Sequence, residues 1–329
     1  GFFFVKSKNK AYVIDTLDTQ YCFLTSDLSP IKAFGEVFFD ESIKSIKPKK
    51  TTKTNISISY NVGLLDFKFE NSDLTIEDIQ AMLLAYHQKK KFVKLKDNSI
   101  LELDNDEIKK IDDFLEDFNI SIKDINKPVQ KPLNYLLKLI NGTDSNLSMD
   151  NEVIKMIQTI QNFKKSKYEP NEQFKTLLRS YQLEGFKWLK TLSSYDFGGI
   201  LADDMGLGKT LEIISFVDSD SKQAPSLIVC PMSLVYNWEN ECHKWNLNCP
   251  IHLILGSIEE RENIISNINP NAKSLCITSY DSLRRDANLY KIKFRFVIAD
   301  EAQFIKNQFA QKSEAIKSIQ SEINFALTG

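Results

Sequence analysis

The spacing of apolar residues changes near residue 170. Before that point short apolar runs and period-2 alternation dominate. Phe2–Val5, Ala11–Ile14 and Tyr21–Leu24 are apolar runs between polar turns, and each predicts a short strand. Residues 44–54 form a polar, basic connector around Pro48. Ile56, Ile58 and Tyr60 alternate with polar neighbours, and Leu65, Phe67 and Phe69 continue the pattern, predicting strands over 55–60 and 62–70. Over 75–89 the period lengthens to that of a helix, with Ile76, Ile79, Leu83 and Tyr86 on one face. Thr75 caps it, with Asp78 placed to complete a capping box. Phe92–Leu95 and Ile100–Leu103 flank Asp97-Asn98, a hairpin turn. Ile108, Ile111, Phe114 and Leu115 mark a helix over 106–118, and two more helical stretches cover 133–140 and 152–163. Residues 164–171, with Pro170, read as a linker, so the expected domains are 1–168 and 169–329.

From Phe174 onward helical stretches alternate with short apolar runs at Gly199–Leu201, Leu227–Cys230, Leu253–Leu255, Leu275–Thr278 and Phe296–Ala299. That alternation predicts a parallel sheet with helices on both faces. Ligands bind such sheets at the carboxyl ends of strands.

Composition narrows the class. A chain of 329 residues with 42% hydrophobic content fills about two domain cores. The formal net charge of -2 offers no sign of a nucleic-acid partner, although a basic groove can sit on a near-neutral protein. Cys22, Cys230, Cys242, Cys249 and Cys276 form no C-x-x-C pair, which points to reduced thiols in a cytosol. His87, His243 and His252 have no ligand spacing. No apolar run approaches the roughly 20 residues of a membrane span. Gly1–Val5 is apolar but lacks a basic leader, so it reads as a strand and not a signal peptide. The abrupt ends at Gly1 and Gly329 suggest a piece of a longer protein.

The strongest chemical signal is Leu201-Ala202-Asp203-Asp204-Met205-Gly206-Leu207-Gly208-Lys209-Thr210. A strand ending near Leu201 and a helix starting near Lys209 leave a turn whose N–H groups can converge on phosphate oxygens, aided by the helix dipole. Gly206 and Gly208 allow close approach, Lys209 can reach the β and γ phosphates, and Thr210 can hold Mg²⁺. The strict phosphate-loop pattern has glycine where this chain has Asp203. The second signal is Phe296–Gln303, where an apolar strand delivers Asp300 and Glu301 to its carboxyl end. Asp300 would bind Mg²⁺ and Glu301 would orient or deprotonate the attacking water. Alone, acids after a strand read more simply as a helix start, where they suit the dipole. Downstream of a phosphate loop, the chemical reading is the stronger one.

These motifs, in this order, resemble the Swi/Snf family of superfamily 2 motors. Leu178–Leu189 resembles the family's adenine-reading motif, with Gln182 as the amide and Ser180 in place of the usual proline. Ile228–Trp238 resembles motif Ia, Ile277–Asp286 motif Ib, Asp300–Asn307 motif II with its DEAQ sequence, and Ala326–Gly329 the start of motif III. The resemblance implies a RecA-like first motor lobe over 169–329 that uses ATP and Mg²⁺. Its nucleotide site would comprise Gln182, Asp204, Met205, Gly206, Leu207, Gly208, Lys209 and Thr210, with Lys209, Asp300, Glu301 and Gln303 catalytic. It also implies contacts from Ser233, Asn237, Thr278 and Tyr280 to the backbone of double-stranded DNA, a second RecA-like lobe that completes the site, and a bacterial, nucleoid-associated setting. A DNA-bound protein to be remodelled is a possible partner, and no membrane is expected. The first half resembles, more loosely, the smaller mixed α/β domain that precedes the motor in bacterial Swi/Snf proteins. Lys89, Lys90, Lys91, Lys94 and Lys96 form either a solvated, edge-protecting hairpin or a nucleic-acid patch, the former being the simpler reading. Trp188, Trp238 and Trp245 read as core anchors. The rival functions are a strand-separating helicase and a non-hydrolysing nucleotide- and nucleic-acid-binding scaffold.

Overall fold

The computed structural model describes residues 2–5, 10–13, 16–27, 29, 33, 47–50, 53–140, 147–204, 206–307 and 310–329. The chain divides into two units, residues 1–157 and 158–329.

In the first unit β1 (Phe2–Val5) and β2 (Lys10–Val13) pair antiparallel. Ile14, expected to extend β2, lies outside the described residues. The third apolar run is not a strand but part of helix α1 (Leu17–Thr25). Thr16 accepts from the Thr19 N–H and the Thr19 hydroxyl oxygen accepts from the Thr16 N–H, closing a capping box that commits the chain to a helix. Leu17, Tyr21 and Leu24 then share one face, and the buried Tyr21 hydroxyl donates to Glu102 at 2.8 Å. The connector around Pro48 also differs from expectation. Pro48–Lys50 forms β3, pairing in parallel with β7 (Ile100–Glu102), which pairs antiparallel with β6 (Phe92–Lys94). An edge strand with exposed lysines lacks the alternation that marks a half-buried strand. Residues 44–46 and 51–52 of that connector are outside the described residues.

The strands β4 (Asn55–Asn61) and β5 (Leu64–Glu70) pair as the alternation predicts, with Ile58 opposite Phe67 and Ile56 opposite Phe69. They are flanked by β8 (Val129–Pro132) and β9 (Leu147–Met149) in the order β8-β5-β4-β9. Around them lie α2 (Ile76–His87), α3 (Asn105–Asp117), α4 (Leu136–Ile140) and α5 (Asn151–Gln161), within which the unit boundary falls. The Thr75–Asp78 capping box forms as expected. Phe67 lies 5.8 and 5.1 Å, ring to ring, from Phe114 and Phe118 of the α3 segment, so the inward face of β5 and the apolar stripe of α3 share one core.

The second unit runs α6 (Glu172–Lys175), α7 (Ser180–Ser193), β10 (Gly199–Leu201), α8 (Lys209–Asp218), β11 (Pro225–Cys230), α9 (Val235–Lys244), β12 (Ile251–Leu253), α10 (Ile258–Ser266), β13 (Ser274–Ser279), α11 (Tyr280–Asp286), β14 (Phe294–Ala299), α12 (Gln311–Ser318) and β15 (Ser321–Leu327). Its sheet has the order β10-β15-β14-β11-β13-β12, and every pairing is parallel. Every residue of β11, β13 and β14 is buried, so both faces of the sheet centre are covered. On α8, Phe216 meets Phe296 and Phe325 at 4.7 and 5.4 Å. The predicted run at 253–255 shifts to 251–253, and β15 goes beyond the four residues singled out, because Ser321, Glu322 and Asn324 interrupt its apolar pattern. Among the described residues no helix is long and apolar enough to cross a membrane.

Two features of the packing carry expectations. The β4–β5 turn consists of Val62 and Gly63 at φ 44° and 80°. A two-residue hairpin turn of this kind favours Asn-Gly, and a β-branched residue at positive φ is strained. Val62 is 91% exposed, so its side chain contributes no packing in exchange. Val62→Asn should slow hydrogen exchange of the β4 and β5 amides about fivefold, equivalent to about 1 kcal/mol; unchanged exchange would contradict this. On α8, Glu212 is fully buried, and neither carboxyl oxygen has a hydrogen-bond partner among the described residues. A Cβ at Gly185 of α7 would fall 2.1 Å from Glu212 Oε2, so the glycine makes room for this carboxyl. Burial, reinforced by the charge of Asp203, pushes Glu212 from its ordinary 4.5 up to about 8. Between those values the folded chain keeps a proton that the unfolded chain has released, so stability from this group falls as pH rises. Glu212→Gln should therefore flatten the pH dependence of stability between pH 4.5 and about 8 and stabilise the fold at pH 8. Urea titrations at several pH values would reveal the change, and an unaltered slope would refute it.

Candidate functional site

The all-parallel sheet sets the geometry of the site. The loops after β10, β11, β13, β14 and β15 all leave carboxyl ends, so they share one rim. A pocket of about 510 Å³ opens there, lined by Gly206, Gly208, Lys209, Thr210, Asp300 and Glu301 together with Gln182 and residues of α9.

The candidate phosphate loop joins β10 to α8. Gly206 and Gly208 have φ of 84° and 82°, in the left-handed region that favours glycine. A Cβ at Gly206 would meet nothing within 4 Å, so the turn is open towards the pocket. A Cβ at Gly208 would lie 2.5 Å from the Gln182 amide nitrogen, so a larger residue there is strained by the positive φ and displaces the Gln182 carboxamide. Lys209 begins α8, and its Nζ donates to the carbonyls of Asp203 and Asp204 at 2.5 and 3.1 Å. Asp204 and Leu207 stand in the same turn, whereas Met205 lies outside the described residues. The open turn, the helix N-terminus and the Lys209, Thr210 and Asp300 donor set together fit a nucleoside triphosphate with its Mg²⁺.

Gln182 lies beside the loop, but its carboxamide is committed to protein. Its Nε2 donates to the Leu207 and Gly208 carbonyls at 3.0 and 3.3 Å, and its Oε1 accepts from the Arg179 N–H at 2.9 Å. Tyr181 adds a hydroxyl bond to the Leu207 carbonyl at 3.0 Å. In this conformation Gln182 therefore braces the phosphate loop, and reading an adenine edge would require exchanging those bonds.

The acids follow β14. The Asp300 N–H still donates to the Val229 carbonyl at 2.8 Å, so the ladder extends into the motif. Asp300 Oδ2 accepts from the Trp238 indole N–H at 2.8 Å, Oδ1 accepts from the Glu301 N–H at 2.9 Å, and the Asp300 carbonyl accepts from the Tyr280 hydroxyl at 2.8 Å. Burial pushes the Asp300 carboxyl up, while the Trp238 and Glu301 donors work against it. Glu301 has φ 51°, a left-handed conformation uncommon outside glycine and typical of strained functional positions. Gln303 Nε2 donates to Glu301 Oε2 at 2.6 Å, and its Oε1 accepts from Thr328 at 3.3 Å, so the end of β15 is tied to the acid.

The four expected nucleic-acid contacts separate into two pairs. Ser233 and Asn237 are exposed, and Asn237 lines the pocket. Thr278 and Tyr280 are buried at 0% and 2% exposure. The Thr278 hydroxyl donates to the Ile254 carbonyl at 3.2 Å and the Tyr280 hydroxyl to Asp300, so neither side chain presents a donor to a strand, and both assignments are corrected. Polar residues at a strand end look alike in sequence whether they point inward or outward. Five pocket residues, Leu211, Leu234, Glu241, Lys244 and Trp245, were not assigned to the site from the sequence. Glu241, Lys244 and Trp245 continue the face begun by Asn237 at helical spacing, the one signal that could have revealed them. Trp245 is half-buried and its indole donates to Glu241 at 2.6 Å, while Trp238 is buried as expected but also holds Asp300.

Comparison with known proteins bears on the same segments. Residues 181–329 match the SNF2-related domain, and residues 1–171 match the bacterial SNF2 helicase-associated domain. An uncharacterized ATP-dependent helicase of Mycoplasma genitalium is 28% identical over 99% of this chain, and the chain spans 31% of its length. The ISWI chromatin-remodeling complex ATPase ISW2 of Saccharomyces cerevisiae is 37% identical over 46% of the chain, which covers 14% of that protein. A SWI2/SNF2 ATPase core of Sulfolobus solfataricus, solved in complex with dsDNA, is 36% identical over 46% of this chain and 32% of its own, with a TM-score of 0.41. The candidate phosphate loop, the paired acids and the first half thus fall within matched segments, and the chain belongs to the SNF2 family, in its bacterial helicase-associated form.

Proposed function

We propose that this chain carries the nucleotide-binding lobe of a DNA-dependent ATPase that moves along double-stranded DNA and remodels protein–DNA complexes, with residues 1–168 as an accessory domain and 169–329 as the motor lobe. The observation that carries the reading is the convergence of Lys209, Thr210, Asp300 and Glu301 on one pocket from two different strand ends. The N–H groups at the start of α8 bind phosphate oxygens. Lys209 exchanges its carbonyl partners for the β and γ phosphates. Thr210 and Asp300 would hold Mg²⁺, which would neutralise phosphate charge there. Glu301 orients the attacking water and accepts its proton, and Gln303 fixes the Glu301 carboxylate. By resemblance, a second lobe supplies arginines that stabilise the transition state.

DNA as the track is supported by the chromatin-remodeling name of the yeast relative and by the rim itself. Ser233 is exposed there, and Arg284 and Arg285 are exposed on α11, which follows the carboxyl end of β13. Ser233 keeps its expected role, and Arg284 and Arg285 take the role first given to Thr278 and Tyr280. They contact phosphate, which positions a strand without reading its sequence. The first unit regulates the motor, and the described residues that line the pocket all belong to the second unit.

In the longer protein, Lys209→Ala should abolish measurable nucleotide binding. Glu301→Gln should bind ATP normally and lose about 100-fold or more in turnover. Fluorescent-nucleotide titration and a phosphate-release assay separate the two effects, and normal turnover by Glu301→Gln would remove it from its assigned role. Duplex DNA affinity should fall at least about tenfold between roughly 50 and 200 mM salt, and Arg284→Ala should lower both affinity and salt slope. Binding confined to one sequence and insensitive to salt would argue against backbone tracking. Preference for single strands would favour a strand-separating helicase instead.

A further inference from the structure

We propose that Trp238 is a positioning residue for the metal-binding acid, its indole N–H holding the Asp300 carboxylate in the orientation the cation requires. The inference rests on the reading of Asp300 as the Mg²⁺ acid. Trp238 sits in the first turn of α9, and its Nε1 donates to Asp300 Oδ2 at 2.8 Å. Its side chain is 1% exposed, so packing fixes the ring and leaves the N–H one direction. The Glu301 N–H takes the other carboxylate oxygen at 2.9 Å, and the Tyr280 hydroxyl holds the Asp300 main chain at 2.8 Å. Donors from three segments thus restrain one acid. A carboxylate has about four lone-pair sites, and two protein donors leave the remainder for a cation or its water shell. An indole offers only a donor and cannot compete as a ligand. A purely structural Trp would require the ring but not the bond.

Trp238→Phe separates ring from bond. In the 329-residue chain, with folding verified by circular dichroism, fluorescent ATP binding is measured in EDTA and across a Mg²⁺ titration. Affinity in EDTA should stay at the wild-type level, while the Mg²⁺ concentration for half-maximal effect rises about 10–100-fold, as for other partners of metal ligands. Wild-type Mg²⁺ dependence in the folded variant overturns the proposal, as does an equal loss of affinity with and without Mg²⁺. Lys209→Ala is measured alongside and should lose affinity in both conditions. If it binds like wild type, the nucleotide site itself has been misread. If Trp238→Phe does not fold, NMR of the wild-type chain decides. The chain has three tryptophans, hence three indole N–H resonances. Asp300→Asn should shift one of them, and Mg²⁺ with nucleotide should shift the same one. Failure of any indole resonance to respond to Asp300→Asn overturns the assignment.

Discussion

Burial of a parallel sheet on both faces is the constraint from which the second unit follows. Strands with no solvated face must be apolar nearly throughout, as in Leu227-Ile228-Val229 and Phe296-Val297-Ile298. Polar chemistry is then excluded from the strand interiors and collects where they end. Because all pairings are parallel, those ends lie on one rim, and chemistry far apart in sequence meets there. The hydrogen bond from Asp300 to Val229 shows how strictly the ladder places the first acid.

Along that rim, support is as prominent as contact. Gln182 and Tyr181 hold carbonyls of the phosphate loop, Trp238 and Tyr280 hold Asp300, and Gln303 holds Glu301. In the proposed mechanism each bond restrains a group that meets phosphate, metal or water in a fixed geometry. Preorganisation of this kind reduces the reorganisation needed when charge develops. It also joins segments: α9 carries both the exposed Asn237 and the buried Trp238, so a residue at the pocket and a brace on the acid share one helical turn.

The first unit has a different logic. Its β4–β5 hairpin is antiparallel, and its period-2 alternation provides one inward row, Ile56, Ile58, Leu65, Phe67 and Phe69. Aromatic residues of the α3 segment meet that row. The lysines at 89–91, 94 and 96 are exposed, and β6 is an edge strand of its small sheet, as the edge-protecting reading of that cluster requires.

The sequence alone determined most elements and named several of the side chains that gather at the rim. Helical and strand periods are local properties, so α2, α3, β4 and β5 were legible from spacing, and a phosphate loop is legible because glycines, lysine and threonine must be contiguous. Local reading failed where two structures share one pattern. Tyr21–Leu24 is apolar enough for a strand, but the Thr16–Thr19 cap makes it a helix. The edge strand β3 and the interior strand β15 were obscured by polar residues, since their pairing depends on partners distant in sequence. Only the tertiary structure decided where each polar side chain points. Thr278 and Tyr280 turn inward because the carbonyls of Ile254 and Asp300, just past the ends of β12 and β14, lie within bonding distance. Gln182 turns to the loop and Trp238 to Asp300 for the same reason: a hydrogen bond needs its acceptor within about 3 Å, and which acceptor comes that close is set by the packing of separate elements.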